Sequence, residues 1–235
     1  MKNFVTAIIV AAGNSTRMGR GISKQFIPLL DMPVIAHTLT AFQNTQSVDE
    51  IVLVARPCDE DEMKNIASEF NISKLRAVVH GGETRGESVQ NGVNASSEKT
   101  TFFAIHDGAR PLIRQQDIEK VVNRAFAVKS AALGVAVKDT VKSVNSENIV
   151  TDTPDRASLR AVQTPQVFEK GLYLGALKMA VEQNKNFTDD CQLIENAGGT
   201  VEIVQGSESN IKITTPYDLI VAESILKSRK GGENI

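Results

Sequence analysis

Glycines, cations and acids recur in short clusters along this chain, each set against an apolar run. The first is AAGNSTRMG at residues 11–19, followed by Lys24-Gln25-Phe26, directly after the run at residues 4–10. A glycine-rich loop in that place turns backbone N–H groups toward phosphate oxygens, and Arg17 and Lys24 add charge. It is not a dinucleotide fingerprint, because Ser15 stands where the second glycine belongs. Nor is it a P-loop, because no Gly-Lys-Ser/Thr ending closes it. Without its cations it reads as a plain turn.

The second cluster, GGETRGESVQNG at residues 81–92, also follows an apolar run. Glycines there let a flat base approach the backbone; a turn and a helix start is the alternative. In the third, HDGARP at residues 106–111, Asp107 closes a strand and is placed to hold a phosphate-bound Mg²⁺. Arg110 could clamp a substrate phosphate, or the two could simply pair with each other. His106, like His37 and His80, is read as structural. Asp139-Thr140, Arg156 and QTPQ at residues 163–166 form a fourth set, and Thr188-Asp189-Asp190 a fifth. In the sixth, NIKITTP at residues 210–216, Lys212 lies between Ile211 and Ile213 and is expected to point at something.

Short β-rich runs alternating with helical stripes position these clusters. Strands are expected at residues 5–10, 50–55, 75–80, 101–106 and 131–137, and helices at 33–43, 59–70, 83–95 and 116–129. The clearest helix carries Ile118, Val121, Val122, Ala125 and Phe126 on one stripe. Asp59 and Glu62 are placed as a cap and its partner. The alternation predicts an α/β fold, a Rossmann-like, mostly parallel sheet flanked by helices, with ligands at the C-terminal strand ends. It breaks over residues 138–159, which are polar and read as a protruding β-hairpin arm, with pieces at 140–144 and 149–150 around a turn at 145–148. A strand at 162–168, a helix near 172–183, a short helix after Thr188 and a strand at 201–204 follow. A last helix runs from Thr215, its cap, through Pro216 to about Lys227. Residues 1–228 are read as a single domain that includes the arm, and 229–235 as a disordered tail.

The bulk composition excludes several classes. The 235 residues are 41% hydrophobic and 23% charged, with net charge −2, an ordinary globular mix without the basic excess of a nucleic-acid binder. Cys58 and Cys191 stand alone, without metal spacing. No run approaches the ~20 apolar residues of a membrane helix, and no signal peptide is read. A cytoplasmic location is expected.

In order, AAGNSTRMG, SKQF, GGETRGESVQNG, HDGARP, VKDTVK, AVQTPQ, TDD and NIKITTPYDL resemble the methylerythritol phosphate cytidylyltransferase family from residue 7 to about 223. The resemblance implies a Rossmann-like fold, homodimers formed through the arm, CTP and a small polyol phosphate as substrates, and Mg²⁺ or another divalent cation. It implies that Ala11, Ala12, Gly13 and Gly108 line the CTP site and that Gly82, Glu83 and Ser88 lie around cytosine. Arg17, Lys24 and Lys212 would hold the triphosphate and transition state, with Asp107 by the metal. Arg110, Thr140, Arg156 and Thr188 would meet the acceptor, Thr140 and Arg156 from the partner's arm; Arg156 counts among the catalytic cations. Ser15, the serine of SKQF and Gly108 depart from the commoner family pattern but leave the cations in place.

TPYDL and TDD are also similar to the ribitol phosphate cytidylyltransferases, the rival reading; SVQNG, VKDTVK and the arginine-bearing arm favour methylerythritol phosphate. A non-catalytic nucleotide sensor would not need Arg17, Lys24, Asp107, Arg156 and Lys212 together. A nicotinamide-dependent dehydrogenase lacks its second glycine.

Overall fold

The computed structural model describes residues 2–13, 23–183, 185 and 187–231. The chain runs β1 (Val5–Val10), β2 (Pro28–Leu29), β3 (Met32–Pro33), α1 (Val34–Asn44), β4 (Glu50–Ala55), α2 (Glu60–Glu69), β5 (Leu75–His80), α3 (Arg85–Asn94), β6 (Phe102–Asp107), α4 (Gln115–Val128) and β7 (Ser130–Ala136). It continues through β8 (Ser143–Val144), β9 (Val150–Asp152), β10 (Arg160–Glu169), α5 (Lys170–Glu182), α6 (Asp190–Asn196), β11 (Glu202–Gln205) and α7 (Pro216–Lys230). Seven strands form one sheet in the order β11-β7-β10-β6-β1-β4-β5. Its pairings are parallel except those of β10, which runs against both β6 and β7.

The central strands β1, β4 and β6 are buried and mostly apolar because both faces are covered. Ala7, Ile9, Ile51, Leu53 and Ala104 face one core with α1, α2 and α4. Ile8, Val52, Val54, Phe103 and Ile105 face the other with α3, α5 and α6. A third, smaller core joins Leu29, Val34, Leu112 and Ile213 to Ala222 of α7. Val10 pairs with Val54 on one side and with Asp107 on the other, so three strands end level. The loops after them share one edge of the sheet.

The arm is a two-stranded sheet of its own, β8 with β9. Asn145 makes its turn: Oδ1 accepts from the amides of Glu147 and Ile149, and Asn148 adopts a left-handed conformation at φ 59°. Expectations change at some element ends. Asp59 precedes α2 but does not cap it; its carboxylate takes a two-pronged contact from Arg56 at 2.6 and 2.8 Å. The last helix passes Lys227 and reaches Lys230, where Arg229 donates to the Leu112 carbonyl and to Ser209 Oγ. Those bonds hold a turn that composition alone reads as tail; residues 232–235 lie outside the described residues. Among the described residues no helix is long and apolar enough to cross a membrane.

Candidate active site

The level ends of β1, β4 and β6 bring the first three clusters together. The Ala11 amide donates to the Val54 carbonyl, the Gly81 amide to the Ala55 carbonyl and the Gly108 amide to the Val10 carbonyl. The loops are so close that Gly81 has no room for a side chain: a Cβ on it would stand 2.4 Å from that of Ala12. One on Gly108 would stand 3.2 Å from that of Ala11. Ala11, Ala12, Gly13, Gly82 and Gly108 therefore line one backbone-walled edge. Arg17 lies outside the described residues.

Residues 81–88 are shaped by the start of α3. Thr84 and Glu87 form a reciprocal cap: Thr84 Oγ1 accepts the Glu87 amide, while Glu87 Oε2 accepts the amides of Glu83 and Thr84. Ser88 Oγ accepts from the Gly82 amide at 3.1 Å and donates to the Thr84 carbonyl. Ser88 thus fixes the loop's shape from beneath, while Gly82 and Glu83 stay exposed.

Asp107 is the centre of charge. Lys212 Nζ lies 3.0 Å and Arg110 Nε 3.2 Å from the same oxygen, Oδ2. The pairing weighed for Asp107 and Arg110 is present, and Lys212 points at the same carboxylate. Burial pushes the Asp107 carboxyl up, but Lys212, Arg110 and Arg85 outweigh it and lower its pKa to about 2. It is ionised at neutral pH. Lys24, on a single 3₁₀ turn at Lys24–Phe26, donates to the Ile213 carbonyl at 2.9 Å. Two lysines far apart in sequence are thus attached to one strip of chain.

His106 is fully buried. Nδ1 lies 2.9 Å from Thr164 Oγ1, which also accepts the Asp107 amide at 3.1 Å. Burial lowers its pKa to about 3, so it is neutral and structural.

The remaining candidates bond elsewhere in this chain. Arg156 donates to the Lys138 carbonyl across the base of the arm, and Thr140 is exposed there. Thr188 donates to Gln192 Oε1 from both its amide and its hydroxyl. Sequence reasoning passed over Arg85. It pairs at 2.7 Å with Asp190, whose other oxygen accepts from the Tyr173 hydroxyl at 2.6 Å. Its signal was an arginine inside a glycine-rich loop together with the unexplained acidic pair at 189–190. Among the described residues no group of three or more His, Cys, Asp or Glu could hold a metal. A cation here would need oxygens from a ligand.

Comparison with known proteins finds relatives over nearly the whole chain. The family model described as IspD, 2-C-methyl-D-erythritol 4-phosphate cytidylyltransferase, matches residues 5–228. A relative of that name from Alkaliphilus metalliredigens is 43% identical over 97% of this chain and 95% of its own length. Another of that name from Desulforamulus reducens is 44% identical over 96% of this chain and 97% of its own. The crystal structure of 4-diphosphocytidyl-2C-methyl-D-erythritol synthase from Anaerococcus prevotii superposes with a TM-score of 0.87 at 33% identity, covering 96% of each chain.

Proposed function

This chain belongs to the 2-C-methyl-D-erythritol 4-phosphate cytidylyltransferase family, and from that premise we propose that it transfers CMP from CTP to 2-C-methyl-D-erythritol 4-phosphate, releasing pyrophosphate. The observation that carries the reading is the convergence of Lys24, Lys212, Arg110 and Asp107 beside the glycine-walled ends of parallel strands.

The acceptor brings its own nucleophile. A phosphomonoester loses its second proton near pH ~6, so its oxygen attacks the α-phosphorus of CTP without a side-chain base. A new P–O bond forms, the bond to the β-phosphate oxygen breaks, and pyrophosphate leaves. The obstacle is repulsion: the two substrates together carry roughly six negative charges. Lys24 and Lys212 offset that charge from a fixed strip of backbone, and Arg17 adds to them from the glycine-rich loop. Positioning and electrostatic stabilisation supply the catalysis.

Asp107 suits a phosphate-bound Mg²⁺, which is held by one or two carboxylates plus substrate oxygens. The carboxylate stays ionised, and both cations engage Oδ2, leaving Oδ1 outside those two contacts. Mg²⁺ when bound would neutralise phosphate charge. We further propose a homodimer in which the arm reaches the neighbour's site. Val144, Ile149 and Val150 are half-exposed or more on it, and an isolated two-stranded hairpin is marginal without a partner surface. Thr140 and Arg156 would then meet the acceptor across the interface, with Arg110 and Thr188 on the receiving side.

The test is turnover with CTP and Mg²⁺, offering methylerythritol phosphate and ribitol phosphate separately. Preference for methylerythritol phosphate is expected. Equal or faster turnover of ribitol phosphate would overturn the acceptor assignment.

A further inference from the structure

Lys212 reaches Asp107 from a segment, residues 206–215, that belongs to no helix or strand. Such a segment needs something else to fix it, and the bonds around it converge on Asn210. This residue is completely buried. Its Nδ2 donates to the Thr164 carbonyl at 2.9 Å and lies 3.3 Å from Gln163 Oε1. Gln163 in turn donates to the Ser207 carbonyl at 2.9 Å, the same carbonyl that receives the Asn210 amide. The Asn210 carbonyl accepts Arg110 Nη1 at 2.8 Å. A closed circuit results: Asn210 holds Arg110, Arg110 holds Asp107, and Asp107 holds Lys212, two residues beyond Asn210.

Three residues on, the Ile213 amide donates to the Ala109 carbonyl, and the Ile213 carbonyl receives Lys24. Asn210 keeps this arrangement at a cost in stability, since its buried Oδ1 has no hydrogen-bond partner among the described residues. An apolar residue would bury there more favourably. It could not anchor the segment to the Thr164 backbone.

We infer that Asn210 is a positioning residue: its carboxamide ties residues 207–213 to β10 and thereby sets where Lys212 stands relative to Asp107. This rests on the reading of Lys212 as a cation of the active site. The test therefore has one arm that does not involve activity. Amine acylation followed by mass spectrometry reports how accessible each lysine is, and Lys178, 80% exposed, serves as internal reference. In the unmodified protein Lys212 is expected to react more slowly than Lys178. In Asn210→Ala and in the isosteric Asn210→Asp, which lacks the amide donor, its rate should rise several-fold in the folded protein. The kcat per folded enzyme should fall on the order of 10²-fold, as displaced catalytic groups do, with the CTP KM less affected. The double variant Asn210→Ala/Lys212→Gln should lose clearly less than the product of the two single losses. Unchanged Lys212 labelling in both Asn210 variants would overturn the proposal, and so would a double variant whose losses multiply. Full kcat in Lys212→Gln would instead overturn the catalytic reading of Lys212, leaving labelling to decide the role of Asn210.

Discussion

Lys24 and Lys212 illustrate how a charge is made useful to a phosphate. The Lys24 ammonium is held at the Ile213 carbonyl and the Lys212 ammonium at the Asp107 carboxylate, but both side chains remain partly open, with 40% of the Lys212 side chain exposed. Replacing either by alanine should lower kcat by about 10²–10³, the scale for losing one donor that stabilises developing charge. The thermal midpoint should move little in Lys24→Ala, since a partly exposed lysine contributes modestly to stability, and should fall in Lys212→Ala, which leaves the buried Asp107 carboxylate with less compensation. A variant with near-normal kcat would remove that lysine from the catalytic set. A second prediction concerns acid. His106 and Asp107 both titrate lower in the folded protein than in the unfolded chain. Each contributes stability that is complete above its unfolded pKa and lost as pH falls through its folded one. The window runs from 6.5 to about 3 for His106 and from 3.8 to about 2 for Asp107. Thermal stability should therefore begin to fall below pH 6.5, while Asp107 is still ionised. His106→Gln should flatten that decline in melts recorded between 6.5 and 3.8, leaving the part due to His37, whose pKa burial also lowers. An equally steep decline in His106→Gln would assign the slope to other groups.

The element that tests the fold's hold on the site is α3. Gly92 presses it onto the sheet: a Cβ would stand 2.5 Å from Ile8 Cγ2 and 2.9 Å from Val54 Cγ2. Gly92→Ala should cost about 1–3 kcal/mol, as overpacked cores do. Because α3 begins at the residue 81–88 loop, the KM for CTP should rise with it. Gly86→Ala is the control on the same helix, where, among the described residues, a Cβ would meet only Thr84 Oγ1, at 3.9 Å. It should leave the melt unchanged or raise it. Equal effects from the two substitutions would contradict the packing account. Elements of this kind were legible in the sequence. The apolar runs at β1 and β4 are buried on both faces, and β5, an edge strand with Arg76 and His80 exposed, still breaks off at Gly81-Gly82, so the ends of all three coincide with expectation. The direction of β10 was not legible, since an apolar run carries no sign of which way it lies. Within the arm the turn was readable from Asn145, but the ladder is shorter than expected, with β8 only Ser143–Val144. The clusters were readable as chemistry because glycines and cations sit at strand ends. Their contacts were not: Lys212 with Asp107, Lys24 with Ile213 and Arg85 with Asp190 each join distant stretches, and Asn210 carries no sequence signal beyond adjoining Ile211 and Lys212.

At the scale of the whole molecule, the proposed crossed arm makes the active site a shared property. If Arg156 serves the neighbouring subunit, a dimer of Lys24→Ala with Arg156→Ala has one site with both lesions and one with neither. Co-expression at equal levels should give about half mixed dimers and roughly a quarter of full activity, by random pairing under two-fold symmetry. If Arg156 serves its own subunit, every site carries one lesion, and verified mixed dimers will show no rescue. The reaction itself is tested most directly by following oxygen. Methylerythritol phosphate carrying ¹⁸O in its non-bridging phosphate positions is incubated with CTP, Mg²⁺ and the protein, and the products are weighed by mass spectrometry. Attack of the acceptor's own phosphate oxygen on the α-phosphorus leaves all the label in CDP-methylerythritol and none in pyrophosphate. Label in pyrophosphate, or a folded protein that releases no pyrophosphate from this pair, would contradict the account.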